Sequence, residues 1–315
     1  MIAGRQYVRV SAESGRVAFL LPDPARELAG VRLIQDVRIA GELLDFAYRG
    51  DHWELAIAKP PVNRMEYQFE LFLADGTSQW VLDPGNPKTV DGAFGKKSVR
   101  EFAGYRPPAW LTAPTEAGDT QDLDLPVPDA MISVRVWSPP GTPDDEPLPM
   151  LIAHDGPEFD SLADLTRYLS AGVTGTWLPR LRAALLSPGP RDRWYSANLG
   201  YARALRDIVI PALTSRVATK ARIGMGASLG ALALLHAHCR FPDAFDALFL
   251  ESGSFFMPRF DGHERRFPYY RRIASFVSGV HRGRLPDRPI PVELTCGVIE
   301  ENLENNRLMA QTLRA

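Results

Sequence analysis

Over the first third of the chain, apolar and polar residues alternate along short runs. GRVAFLL, VRLIQDVRI, LLDFAYRG, HWELAIA, MEYQFELFL and SQWVL are rich in β-branched and aromatic residues, and they are broken by PDP at 22 to 24, GD at 50 to 51, KPP at 59 to 61 and DG at 75 to 76. A period of two between turn residues predicts strands with one buried face, assembled here into a small all-β sandwich. From about Gly85 to Asp129 no period is sustained, and YRPPAWLTAP followed by the acidic TEAGDTQDLD predicts a linker. Beyond it the rhythm becomes strand, helix, strand. MISVRVWSP, PLPMLIAHDG, RAALLSPG, RIGMGASLG, DALFLESGS and PVELTCG predict strands. YARALRDIVIPALTSRVA, with Leu205, Ile208, Ile210 and Leu213 at helical spacing, and ALALLHAHCR predict helices. Such alternation specifies a mostly parallel sheet with helices on both faces. The expected organisation is a β domain over residues 1 to 105, a linker over 106 to 129 and an α/β domain over 130 to 315.

Composition narrows the function. Lys plus Arg number 36 against 38 Asp plus Glu, a net charge of −2, which argues against a nucleic-acid partner or a polybasic membrane surface. With 45% hydrophobic and 23% charged residues the chain has a globular composition. Two cysteines, Cys239 and Cys296, are too few for a disulfide framework or a Cys-based zinc site. The start MIAGRQYVRV lacks a basic segment followed by an apolar run, and no stretch reaches the roughly 18 apolar residues of a membrane span, so a cytoplasmic location is expected. The basic stretch 259 to 289 reads as a solvated excursion between strands or as a cap that attracts an anionic substrate.

Chemistry concentrates at Gly226-Ala227-Ser228-Leu229-Gly230, which follows an apolar run and precedes a helix. A nucleophilic serine needs its oxygen thrust out of a tight strand-to-helix turn, and flanking glycines make room for that turn. The helix after Ser228 aims its first N–H groups at the place where negative charge develops in acyl transfer. A second oxyanion donor is expected from His154-Asp155-Gly156-Pro157-Glu158; Pro157 has no N–H, so Gly156 is the first choice and Glu158 the second. The acid is expected from Cys296-Gly297-Val298-Ile299-Glu300-Glu301-Asn302, where spacing alone does not separate Glu300 from Glu301. Asp155, Arg191 and Arg193 are candidates for contact with substrate. All six histidines, at 52, 154, 236, 238, 263 and 281, precede Glu300, whereas in this fold class the base follows the acid.

The segments MISVRVWSPPG, LIAHDGPEFD, RDRWYSANLGYARALRDIVIPAL, GMGASLGALALLHAHCRFPDAFDALFLESGSFF and CGVIEENLENNRLMAQTLRA together resemble an esterase family of α/β-hydrolases that includes the enterochelin (ferric siderophore) esterases, esterase D and feruloyl esterases. The resemblance covers roughly residues 130 to 315 and rests on DGPEF, GASLG and CG-x-x-E in that order. It implies a serine hydrolase that cleaves a small-molecule carboxylic ester through an acyl-enzyme, with Ser228 as nucleophile and the Leu229 N–H as one oxyanion donor. It also favours Glu300 over Glu301 as the acid. No metal or organic cofactor is implied. HWELAIAKPPVNRMEYQFELFLADG and LDPGNP are similar to the early-set immunoglobulin-like domains placed ahead of enterochelin esterases, and to glycogen-binding-type modules; Trp53 is read as core and Trp80 is left open. The family pattern continues past NNRLMAQTLRA with a strand, a histidine-bearing loop and a helix, so the expectation is either a truncated sequence whose base lies beyond Ala315, which is favoured, or a hydrolase-like scaffold without its base. Siderophore triester, hydroxycinnamoyl ester and simple acyl ester all fit. The rival functions are an acyltransferase of the same architecture and a non-catalytic carbohydrate- or ligand-binding protein.

Overall fold

The computed structural model describes residues 15–37, 43–93 and 95–314. The MIAGRQYVRV start, and Arg38 and Ile39 of the second apolar run, lie outside them. Contacts divide the chain between Pro107 and Pro108 into two compact units.

The first unit is antiparallel. One sheet has the order β1-β4-β3, from β1 (Arg16–Pro22), β3 (Ala47–Tyr48) and β4 (His52–Ala58). The other has the order β2-β5-β8-β7, from β2 (Leu28–Gln35), β5 (Arg64–Leu73), β7 (Thr89–Val90) and β8 (Lys97–Glu101), with β6 (Ser78–Val81) also paired to β5. Period-two alternation turns Val17, Phe19 and Leu21 of β1 and Met65, Tyr67, Phe69 and Leu71 of β5 into one core. Edge-on ring contacts across it, such as Phe19 to Tyr67 at 5.1 Å, join the two sheets. Trp53 belongs to this core and donates its indole N–H to Asp23 Oδ2 at 2.9 Å, while Trp80 is 57% exposed.

The second unit carries a seven-stranded sheet of order β15-β14-β13-β11-β12-β10-β9. Its strands are β9 (Asp119–Val127), β10 (Ala130–Ser138), β11 (Leu148–Ala153), β12 (Arg182–Leu186), β13 (Thr219–Ala227), β14 (Ala247–Glu251) and β15 (Val292–Thr295). The pairs from β12 to β15 are parallel; β10 runs antiparallel to β12 and β9. Residues expected as linker thus include a full edge strand. DTQDLDLPV exposes Asp122, Asp124 and Pro126 at alternate positions, a pattern that keeps one face wet and so does not look like a buried strand.

Helices cover both faces. They are α1 (Gly156–Ala163), α2 (Leu165–Thr174), α3 (Arg191–Tyr195), α4 (Leu199–Ala204), α5 (Ile210–Arg216), α6 (Leu229–Arg240), α7 (Tyr270–His281) and α8 (Leu303–Arg314). The predicted single helix after Tyr201 is α4 and α5 joined by a π-turn at Leu205–Val209, just ahead of Pro211, whose missing N–H breaks the regular ladder. Ten of the twelve residues of α6 are buried, so it packs as a central helix rather than an amphipathic one. Inside β12, the fully buried Arg182 donates to the carbonyls of Pro143, Glu146 and Ala218, which satisfies a charge that burial alone would penalise. No helix among the described residues is long and apolar enough to cross a membrane.

Candidate active site

Ser228 sits between the end of β13 and the first residue of α6, with φ 54° and ψ −118°. A non-glycine residue at such an angle is strained by about 1–3 kcal/mol and needs the surroundings to hold it. The holding contacts are visible. The Ser228 N–H donates to the Glu251 carbonyl at 2.9 Å, and the Ser228 carbonyl accepts from the N–H groups of Leu232 at 3.2 Å and Ser254 at 3.1 Å. A Cβ on Gly226 would stand 2.8 Å from the backbone carbon of Gly230, so the turn closes only with glycine there.

The Ser228 and Ser254 hydroxyls are hydrogen-bonded at 2.8 Å. Ser254 is buried and follows β14 in the run Glu251-Ser252-Gly253-Ser254. Sequence reasoning missed it; the signal available was a cluster of small polar residues directly after an apolar strand. Asn306 of α8 clamps this run from both sides, accepting from the Gly253 N–H at 2.9 Å and donating to the Gly253 carbonyl at 3.0 Å.

The DGPE loop lies beside the serine turn, as expected from adjacent parallel strands. Ala153 of β11 is in register with Met225 of β13, and the His154 N–H donates to the Met225 carbonyl at 2.9 Å. A Cβ on Gly230 would lie 3.4 Å from both Asp155 Oδ2 and His154 Cβ, which puts this loop against the first turn of α6. Gly156 opens α1 after Asp155 in a left-handed conformation, φ 51°, and a Cβ there would strike the Leu185 backbone at 2.4 Å. Asp155 is occupied: its two oxygens accept from Arg191 Nε and Nη2, each at 2.9 Å, and its N–H donates to the Tyr195 hydroxyl at 3.3 Å. Arg191 therefore braces the loop through a bidentate pair. Arg193 turns elsewhere, lining a cavity of about 130 Å³ with Trp194, Asn198 and Tyr201.

Glu300 and Glu301 part company in the structure. Glu300 folds back on its own loop, with Oε1 accepting from the Gly297 N–H at 2.7 Å and Oε2 accepting from the Ser252 hydroxyl. Glu301 is exposed, 3.6 Å from His263 Nε2. Burial, and then the Glu300 charge, hold the Glu251 carboxyl above the usual range.

Among the described residues no histidine hydrogen-bonds Ser228 or Glu300. His52 bonds Asp51, His236 accepts from Arg240, and His281 meets the Thr312 hydroxyl. His238 is buried, with its Nδ1 unpartnered. His154, nearest in sequence to the oxyanion loop, is fully buried between the rings of Tyr195 at 5.0 Å and Tyr201 at 5.6 Å, with both ring nitrogens unpartnered. Burial, helped by the Arg191 charge, pushes its imidazole down to about 3.

No family model matches the chain, and no curated protein matches it. Solved structures do. The enterobactin esterase of Shigella flexneri, crystallised in the presence of enterobactin, aligns over 95% of this chain and 84% of its own, with a TM-score of 0.72 and 16% identity. The ferric enterobactin esterase of Salmonella typhimurium aligns over 96% and 87%, with a TM-score of 0.74 and 18% identity. A ferulic acid esterase covers 62% of this chain and 84% of its own, with a TM-score of 0.51 and 16% identity. The chain has the α/β-hydrolase fold preceded by a β domain, the architecture expected from its sequence pattern together with its resemblance to the esterase family.

Proposed function

We propose that this protein is a serine esterase that hydrolyses a carboxylic ester through an acyl-enzyme. The observation that carries the reading is Ser228, held at a strained angle on the strand-to-helix turn with the candidate oxyanion loop packed against the same first turn of α6. In the proposed step the Ser228 oxygen attacks the ester carbonyl and the N–H groups of Leu229 and Gly156 receive the oxyanion. The Ser228 proton passes to a general base and then to the departing alcohol, and water repeats the sequence to release the acid. Glu300, which already keeps its carboxylate ordered through Gly297 and Ser252, is the proposed orienting acid. A siderophore triester of the enterobactin kind is the first substrate to try, supported by the fold shared with the two esterases above. The β unit is proposed to be of the early-set immunoglobulin type, supported by its two antiparallel sheets around one core.

A second reading has its own observation. The Ser228 hydroxyl is bonded to Ser254 and to no histidine among the described residues, which suits a non-catalytic ligand-binding protein built on the same fold. Labelling with a fluorophosphonate separates the two. Covalent modification at Ser228, mapped by peptide mass, is expected for the esterase; an unlabelled Ser228 in a folded sample supports the binding protein.

Ser254 is expected to matter for rate. Replacing it by Ala removes a hydrogen-bond partner of the nucleophile, an interaction of roughly 0.5–1.5 kcal/mol, so kcat on p-nitrophenyl acetate should fall by up to about tenfold with little change in KM. An unchanged kcat would show that the contact does not position Ser228.

A further inference from the structure

The basic stretch after β14 is not absorbed by the ester chemistry. Its helix α7 lies beside α6, with the Phe276 ring edge-on to His236 at 4.9 Å, and the two helices border a cleft of about 270 Å³. The polar lining is one-sided in charge: Arg240, Arg272 and Arg284 face it together with His236, Cys239 and Ser275, and no carboxylate does. None of these three arginines has an acidic partner within 4.0 Å among the described residues, whereas nearby Arg288 bridges to both Asp243 and Asp246. Arg240 stands twelve residues along α6 from Ser228, about 18 Å at 1.5 Å per residue, so the cleft is distinct from the serine turn.

The positions of the arginines define what would fit. Because β13, β14 and β15 are parallel, α6 and α7 both cross back over the sheet in the same direction, and with the Phe276–His236 contact this places Arg240, at the end of α6, near the last turn of α7. Arg284 folds back onto that same turn, its Cδ 3.4 Å from where a Gly279 Cβ would stand. Two guanidinium groups therefore share one end of the cleft. Arg272, in the first turn of α7, is committed to the carbonyls of Ser196 and Arg193 and adds charge rather than a free fork. Between the ends lie the Phe276 ring and the apolar stems of the helices. His236 accepts from Arg240 Nε through Nε2 at 3.3 Å, and burial pushes its imidazole down to about 4, so it stays neutral and leaves the outer edge of the guanidinium open.

We propose that this cleft is a binding site for a small phosphate monoester with a flat apolar body, the phosphate held by Arg240 and Arg284 and the body lying along Phe276. A phosphate monoester is close to a dianion at neutral pH and matches two guanidinium forks, where a carboxylate supplies one charge. Arginines near helix C-termini also offset the local dipole, and that alone requires no cleft between them.

The test uses the whole protein and phenyl phosphate as the probe, with inorganic phosphate and benzoate beside it, by isothermal titration at low salt. Saturable binding of phenyl phosphate is expected, at least about tenfold tighter than benzoate, weakening as salt rises. Arg240→Glu with Arg284→Glu should reduce it at least about tenfold, while Ser228→Ala should leave it intact. Both arginines are exposed, so the reversed variant should keep its fold; Arg284→Ala, beyond the end of α7, is the milder variant if it does not. Absence of binding, or binding undiminished in the folded variants, overturns the site. Equal affinity for phenyl phosphate and inorganic phosphate overturns the assignment of the apolar body. Because the readout is binding and not ester turnover, it stands or falls independently of the esterase reading.

Discussion

Replacing Ser228 by Ala is expected to lower hydrolysis of p-nitrophenyl acetate by at least about three powers of ten, and to do so without unfolding the protein. The size follows from the role proposed for Ser228. A nucleophile acts as a unit with its base, so its loss removes covalent catalysis and leaves only what the oxyanion donors and substrate binding supply, which in serine hydrolases is about 10³–10⁴ over water from a total several powers of ten higher. Stability should hardly move. The methyl group keeps the same backbone angle, the N–H to Glu251 and carbonyl to Ser254 contacts are untouched, and only one hydroxyl bond is lost. Comparison of kcat and of the thermal midpoint for the two proteins checks both halves of this expectation. A variant that retains wild-type turnover would remove Ser228 from the mechanism.

The second large effect is on stability against acid, and it comes from His154. In the folded protein its imidazole is pushed down to about 3, against 6.5 for an unhindered histidine. A folded-state value below the unfolded one means the unfolded chain binds the proton first. The stabilisation is therefore fully present above pH 6.5 and is lost as the pH falls toward 3. Each unit between the two values is worth about 1.4 kcal/mol, so by pH 4.5 His154 alone should cost the fold on the order of 2–3 kcal/mol. Urea unfolding at pH 7 and pH 4.5 should show this loss in the wild type and a smaller one in His154→Phe, in which nothing titrates at that position. Equal losses in the two proteins would mean that His154 is not the buried group responsible.

Much of the architecture could be read from pattern because pattern is local. Period-two runs marked the β unit, the strand-helix alternation marked the parallel sheet, and GASLG marked its own turn, since the glycine at 226 is demanded by backbone only four residues away. The DGPE loop was findable for the same reason: its place is dictated by the strand that precedes it. What escaped was set by contacts between distant segments. Ser254 touches Ser228 across 26 residues and Ser252 reaches Glu300 across 48, and nothing in the composition of either segment announces its partner. Arg191 looked like a free cation for substrate because its partner, Asp155, lies 36 residues upstream. The edge strand inside the expected linker was hidden because three of its nine side chains are acids facing water. Spacing left Glu300 and Glu301 equivalent; the fold separates them by turning one inward and the other to solvent.

The clamp that Asn306 places on Gly253 has a temporal side. Protein synthesis runs in one direction, so the serine turn and the run that holds it emerge first, and the amide that braces that run arrives 53 residues later. At about 5–20 residues per second this is an interval of roughly 3–10 seconds. Throughout it the nascent chain carries Ser228 on a turn whose backing is incomplete. The Gly253 side of the Ser228 turn is completed only once α8 docks, so the order of synthesis makes the geometry around Ser228 a late product of folding.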